Sequence, residues 1–144
     1  MAANDVSLVR LSRPANLNSP YIETISMANS GADFSGKSGW ILGWGIDQVG
    51  GNERAVILQQ AQITVHPQDY CKSIWGDNMV EGQICLGDPG RAGSCSSDSG
   101  GPMIVDGVVA GISSWTAGGC DPSYPAVYES VAHWREWIRQ NINV

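Results

Sequence analysis

Residues 95–115 read CSSDSGGPMIVDGVVAGISSW, and this stretch decides the fold. Its second half is two apolar runs, PMIV and VVAGISSW, separated by Asp106-Gly107. A two-residue Asp-Gly connection suits a tight turn in which both central residues take positive φ, so the stretch predicts a β-hairpin. Its first half closes a glycine-rich run, GDPGRAGSCSSDSGG (87–101), without helical or strand periodicity. Structureless segments of that length inside a small domain tend to be active-site or binding loops.

Working outward, VSLVRL (6–11) alternates apolar and polar side chains, as a half-buried strand would. SRPANLNSPY has the Pro, Asn and Ser density of an exposed connector. SGWILGWG (38–45) predicts a buried strand ending at Gly43-Trp44-Gly45. VILQQAQITVH (56–66) predicts a longer one, and Pro67 opens one or two helical turns over PQDYCKSIWG. Further strands are expected around Ile84 to Leu86 and in AVYESV. The last segment, VAHWREWIRQNI, places Val131, Trp134, Ile138 and Ile142 near one helical face. Many short strands with one closing helix point to an all-β barrel.

The 144 residues are enough for one domain with a core and too few for two ordinary ones. The net charge of −6 argues against a nucleic-acid backbone or an anionic membrane surface as partner. No apolar run approaches the ~20 residues that span a bilayer, and MAANDVSLVR lacks the basic start and apolar core of a secretion signal. Cys71, Cys85, Cys95 and Cys120 show no C-x-x-C spacing, so disulfides fit better than a zinc or redox site. Bridges imply an oxidising compartment, and the missing signal then suggests an N-terminus that is not the natural one.

Ser99 stands in D-S-G-G-P, where glycines allow close backbone approach and expose a hydroxyl. A serine hydroxyl needs a positioned base, and the base needs an orienting carboxylate. The chain resembles the C-terminal part of the chymotrypsin/trypsin/elastase-type serine proteases. The family's D-S-G-G-P is Asp98 to Pro102, its N-D-[ILV]-x-L-[ILV] is Asn4 to Val9, and its G-W-G is Gly43 to Gly45. Its S-W and P-x-V-Y elements are Ser114-Trp115 and Pro125 to Tyr128, in the family's order.

The resemblance implies a six-stranded antiparallel Greek-key barrel with a C-terminal helix, the first barrel being missing. Residues 1–30 would be an interdomain strand and connector from that first barrel, and 31–144 the second barrel. Asp5 would be the triad carboxylate, Ser99 the nucleophile, and the amides of Ser97 and Ser99 the oxyanion hole. Ser97 replaces a glycine there, which puts the direction of its amide in doubt. Cys71 would bridge to Cys85, and Cys95 to Cys120, each loop closure contributing about 3 kcal/mol. Gly39 and Val105 stand where many relatives carry a further bridge.

In the pocket, Gly93 replaces the aspartate of trypsin-like members, while Thr116 and Ala126 should shorten the cavity, an elastase-like arrangement. Ser114, Trp115 and Thr116 would pair with an extended peptide. The family's histidine precedes its aspartate, and four residues precede Asp5. His66 and His133 match positions remote from the nucleophile. Asp98, the zymogen-type carboxylate, would then lack the ammonium it pairs with in the active family and stay hydrated, raise its pKa or turn outward.

The expectation is therefore a secreted serine endopeptidase represented by a truncated C-terminal part. It would be inactive unless a histidine-bearing N-terminal half is supplied. The alternative is a non-catalytic homologue that serves as a binding or interaction module. No metal or other cofactor is expected. The partners expected are a peptide or protein substrate or ligand, and either an N-terminal protease half or a second copy meeting the exposed barrel face.

Overall fold

A computed structural model of the chain describes residues 2–142. Seven strands form: β1 (Ser26–Met27), β2 (Ser38–Gly43), β3 (Gln59–Thr64), β4 (Gln83–Leu86), β5 (Pro102–Val105), β6 (Val108–Trp115) and β7 (Ala126–Ser130), with side chains alternating in burial in β2 and β5 and β7 buried on both faces. Two helices accompany them, α1 (Gln68–Trp75) and α2 (Val131–Asn141). The β5–β6 hairpin turns at Asp106 and Gly107 with φ of 50° and 78°, as the dipeptide predicts.

The pairing order is β3-β2-β5-β6-β7-β4, antiparallel throughout. A bridge between Val65 and Leu86 joins the two ends, with the His66 amide donating to Cys85 and the Gly87 amide to Thr64. The six strands thus close on themselves, and the fourth of them returns beside the first, which is Greek-key topology. Closure removes the unpaired edges that an open sheet of this size would expose. The two-residue β1 adds a parallel pairing to β6 that the sequence reading did not contain.

Inward positions of the ring strands, among them Ile41, Ile63, Leu86, Met103, Val105 and Tyr128, fill the barrel. Helix α2 packs Val131, Ala132 and Ile138 onto Ala28 and the outer face of β6. Ile142, expected on the same face, is exposed. Helix α1 is held by the Cys71–Cys85 bridge over Met79 and Val127.

One expected strand does not form. Val6–Leu11 pairs with nothing in the sheet, and Val9 is 84% exposed. Alternation prepares two faces for a strand, but a strand exists only where a neighbour supplies its hydrogen bonds. Among residues 2–142 no such neighbour lies beside this segment. The strand expected over 56–66 is also shorter, because Val56, Ile57 and Leu58 face solvent before β3 begins.

Candidate active site

The hairpin and its preceding loop converge on one end of the barrel. The Cys95–Cys120 bridge ties the glycine-rich loop to the loop after β6. Within the loop, the Asp98 amide donates to Cys95, the Gly100 amide to Ser113 and the Gly101 amide to Asp98. The amides of Ser97 and Ser99 donate to no group among the described residues. Along residues 97–101, two unengaged N–H groups, those of Ser97 and Ser99, are thus interspersed with three engaged ones. Ser97 holds its place with φ of 79°, a left-handed conformation that favours glycine.

Asp98 does not turn outward. Its Oδ1 accepts the Gly45 amide at 2.8 Å and its Oδ2 accepts the Cys95 amide at 2.9 Å. Charge-assisted bonds from backbone donors hold a half-buried carboxylate in place without an ammonium beside it. This explains G-W-G in the strand before it. A Cβ at Gly43 would come within 1.9 Å of the Asp98 Oδ1, and one at Gly45 within 2.4 Å of its carboxyl group. Asp98 and both glycines line a pocket of about 230 Å³, reached also by Arg91 and Gly93.

A second cleft of about 280 Å³ lies beside Ser99, lined by Ser94, Ser113, Ser114, Trp115 and Thr116 together with the disulfide. No histidine and no carboxylate line it. The β6–β7 register shifts between Ser113 and Trp115, so Ser114 is the extra residue of a bulge, a device that re-aims side chains next to sites. The Ser114 hydroxyl donates to Asp5 Oδ2 at 2.7 Å, which brings the N-terminal segment to the rim of the cleft. Trp115 lies edge-on to Trp75, whose indole N–H donates to the Pro125 carbonyl.

The structure thus gathers Ser99, Ser114, Trp115, Thr116 and, through Ser114, Asp5, while Ser97 precedes Ser99 in the loop without lining the cleft. Ala126 is buried in the barrel core and Gly93 lines the other pocket. His66 Nε2 is 2.6 Å from the Gly87 carbonyl and its ring stacks on Tyr70, while His133 lies against Trp134. Gly39 and Val105 are neighbours, since a Cβ on Gly39 would meet Val105 Cγ2 at 3.0 Å. Among the described residues no group of three metal-ligating side chains occurs.

Sequence reasoning missed Tyr128, buried in the barrel where it lines the Asp98 pocket together with Ser94. Burial pushes its phenol above the ordinary range, hydrogen bonding to Ser94 and Ser113 works the other way, and the Asp98 charge raises it further. Its signal was its place in P-x-V-Y, two residues after Ala126 on the same face of β7.

Comparison with known proteins follows the same lines. The trypsin family model matches residues 1–138. Trypsin of Sus scrofa is 36% identical over 140 residues, covering 96% of this chain and 60% of that protein. Kallikrein-8 of Mus musculus is 30% identical over 142 residues, covering 98% of this chain and 54% of that protein. The structure of neuropsin, a serine protease expressed in the limbic system of mouse brain, superimposes with a TM-score of 0.83 at 29% identity. That superposition covers 92% of this chain and 59% of neuropsin. The chain spans little more than half the length of these relatives.

Proposed function

The chain belongs to the trypsin family of serine proteases, and on that premise we propose that it carries the nucleophile-bearing part of a secreted endopeptidase. Ser99 Oγ attacks the scissile carbonyl, and the oxyanion that forms is met by the amides of Ser97 and Ser99. The observation that carries this reading is the pair of unengaged amides flanking an exposed serine. Preorganised donors at the position of the developing charge are among the largest contributors to acyl-transfer catalysis, and losing one costs ~10²–10³ in rate.

Asp5, held by Ser114, is the carboxylate that orients the base. The base is a histidine supplied by polypeptide outside these 144 residues, since His66 is committed to Gly87 and neither histidine lines the cleft. With no base, the 144 residues alone do not cleave peptides. The cleft takes a small aliphatic side chain: it has no carboxylate for Arg or Lys, and Thr116 narrows it. The Asp98 pocket is the place that receives a new N-terminal ammonium in this family. Residues 1–30 serve as the connection to a first barrel, which covers exposed apolar side chains such as Val9, Leu11, Val56 and Ile57. Without that cover the barrel self-associates.

A serine-directed phosphonate probe with a small aliphatic side chain tests the reading. It is applied to the chain alone and to the chain joined to a histidine-bearing first barrel of the family. Labelling of Ser99 in the joined protein only is expected. Labelling of the chain alone would remove the need for a histidine. Binding of peptide without labelling in either form would favour the second reading, a non-catalytic binding module in which Ser97 has disabled the oxyanion hole.

A further inference from the structure

Glu129 on β7 is fully buried, and neither ion pair among the described residues includes it. Across the ladder it faces Gln83 on β4, itself 2% exposed. Its Oε1 accepts from Gln83 Nε2 at 3.0 Å and its Oε2 from the Trp134 indole at 2.7 Å. The other hydrogen of Gln83 Nε2 goes to the Ala2 carbonyl at 2.9 Å, and Gln83 Oε1 accepts the Val80 amide. Every polar atom of the set thus has a partner. Burying such a group for packing alone would be wasteful, because an apolar trio of similar volume fills the space without desolvating a carboxylate.

An amide can face either way, and Glu129 decides which way Gln83 faces. A carboxylate accepts only, so it draws the NH₂ end toward itself, and the second hydrogen of that NH₂ is then aimed at Ala2. Ala2 lies three residues before Asp5, whose carboxylate takes the Ser114 hydroxyl. Segment 2–11 forms no strand, and the bonds from Gln83 to Ala2 and from Ser114 to Asp5 tie it to the barrel.

We propose that Gln83, oriented by Glu129, is a positioning residue for Asp5, acting through the Ala2 backbone to hold the segment against the barrel. The role attributed to Asp5 rests on the protease reading, but the tether itself is a property of the fold.

The test uses two variants of the full chain and NMR. The exchange Q83E/E129Q keeps a hydrogen-bonded buried pair and one buried charge, yet leaves residue 83 without a donor for Ala2. Its melting midpoint should stay near that of the parent. The nuclear Overhauser contact between the Asp5 and Ser114 side chains should disappear, and exchange of the Val6 amide should speed up about tenfold as the segment opens. Gln83→Met, which removes the donor without placing a charge, should give the same two local changes. Parent-like contact and exchange in either variant would overturn the proposal. In the protein joined to a histidine-bearing barrel, Gln83→Met should lower kcat with KM unchanged. Lost contact with undiminished kcat would leave the tether standing and refute Asp5 as triad carboxylate.

Discussion

The Asp98 carboxylate occupies the space that a side chain on Gly45 would take, and the Gly45 amide is one of the two donors that hold it there. The two residues are 53 positions apart, so one motif of the family explains the other. Gly45→Ala must therefore displace the carboxylate from both of its donors, and should cost about 2–3 kcal/mol. In an Asp98→Ala background the carboxyl atoms that the added methyl would meet are gone, and the same change should cost less than about 1 kcal/mol. Urea unfolding of the four proteins measures the coupling, and strictly additive effects would show that the contact is not what excludes a side chain at residue 45.

Ser97 should respond to substitution with the opposite sign from its neighbour. At φ of 79° a Cβ is strained by roughly 1 kcal/mol, while Ser96 has an ordinary backbone. Ser97→Gly relieves that strain and adds unfolded-chain entropy, so stability should stay level or rise by up to about 1 kcal/mol. Ser96→Gly adds the entropy alone and should lower it by about 0.5–1 kcal/mol. Equal losses at both positions in denaturant unfolding would contradict the strain argument.

The hairpin offers a comparison between conformation and charge. Asp106 and Gly107 both have positive φ, and Asp106 also pairs with Lys37 across an exposed surface. Asparagine tolerates the left-handed region as well as aspartate does, and exposed ion pairs contribute little. Asp106→Asn should change stability by less than about 0.5 kcal/mol, whereas Gly107→Ala should cost about 1 kcal/mol. A larger loss for Asp106→Asn would mean that the ion pair, rather than the turn, sets the hairpin.

These cases show where the sequence was legible. Local signals carried through: Asp106-Gly107 specified its turn, and the branched and aromatic residues of SGWILGWG a strand, though one that buries only alternate residues, with Trp40 exposed. The motif at Asp98 to Pro102 marked the loop that gathers the site. Features that depend on what lies opposite were hidden. The alternation in VSLVRL predicted a strand, yet pairing needs a partner that 2–142 does not place there. Nothing in AVYES marks Glu129 as buried until β4 sets Gln83 against it. Asp98 was expected to lack a partner because the family's partner is an ammonium, and backbone amides leave no mark in a sequence.

Tyr128 gives the protein an alkaline sensitivity whose sign follows from burial. Its phenol is raised above the ordinary value of 10.0 in the folded state. Below about pH 10 both folded and unfolded chains keep the proton, and the residue adds no pH dependence. Above it the unfolded chain ionises first, so the stability contributed by neutral, buried Tyr128 is lost as pH rises toward the folded value. At pH 8, Tyr128→Phe forfeits the hydrogen bonding with Ser94 and Ser113 and should be less stable by about 1 kcal/mol. Above pH 10 the gap should close, because phenylalanine has no proton to lose while the other tyrosines are common to both proteins. Denaturant unfolding of the pair at steps between about pH 8 and 11 measures this. Parallel curves would show that the Tyr128 hydroxyl is solvated rather than enclosed in the barrel.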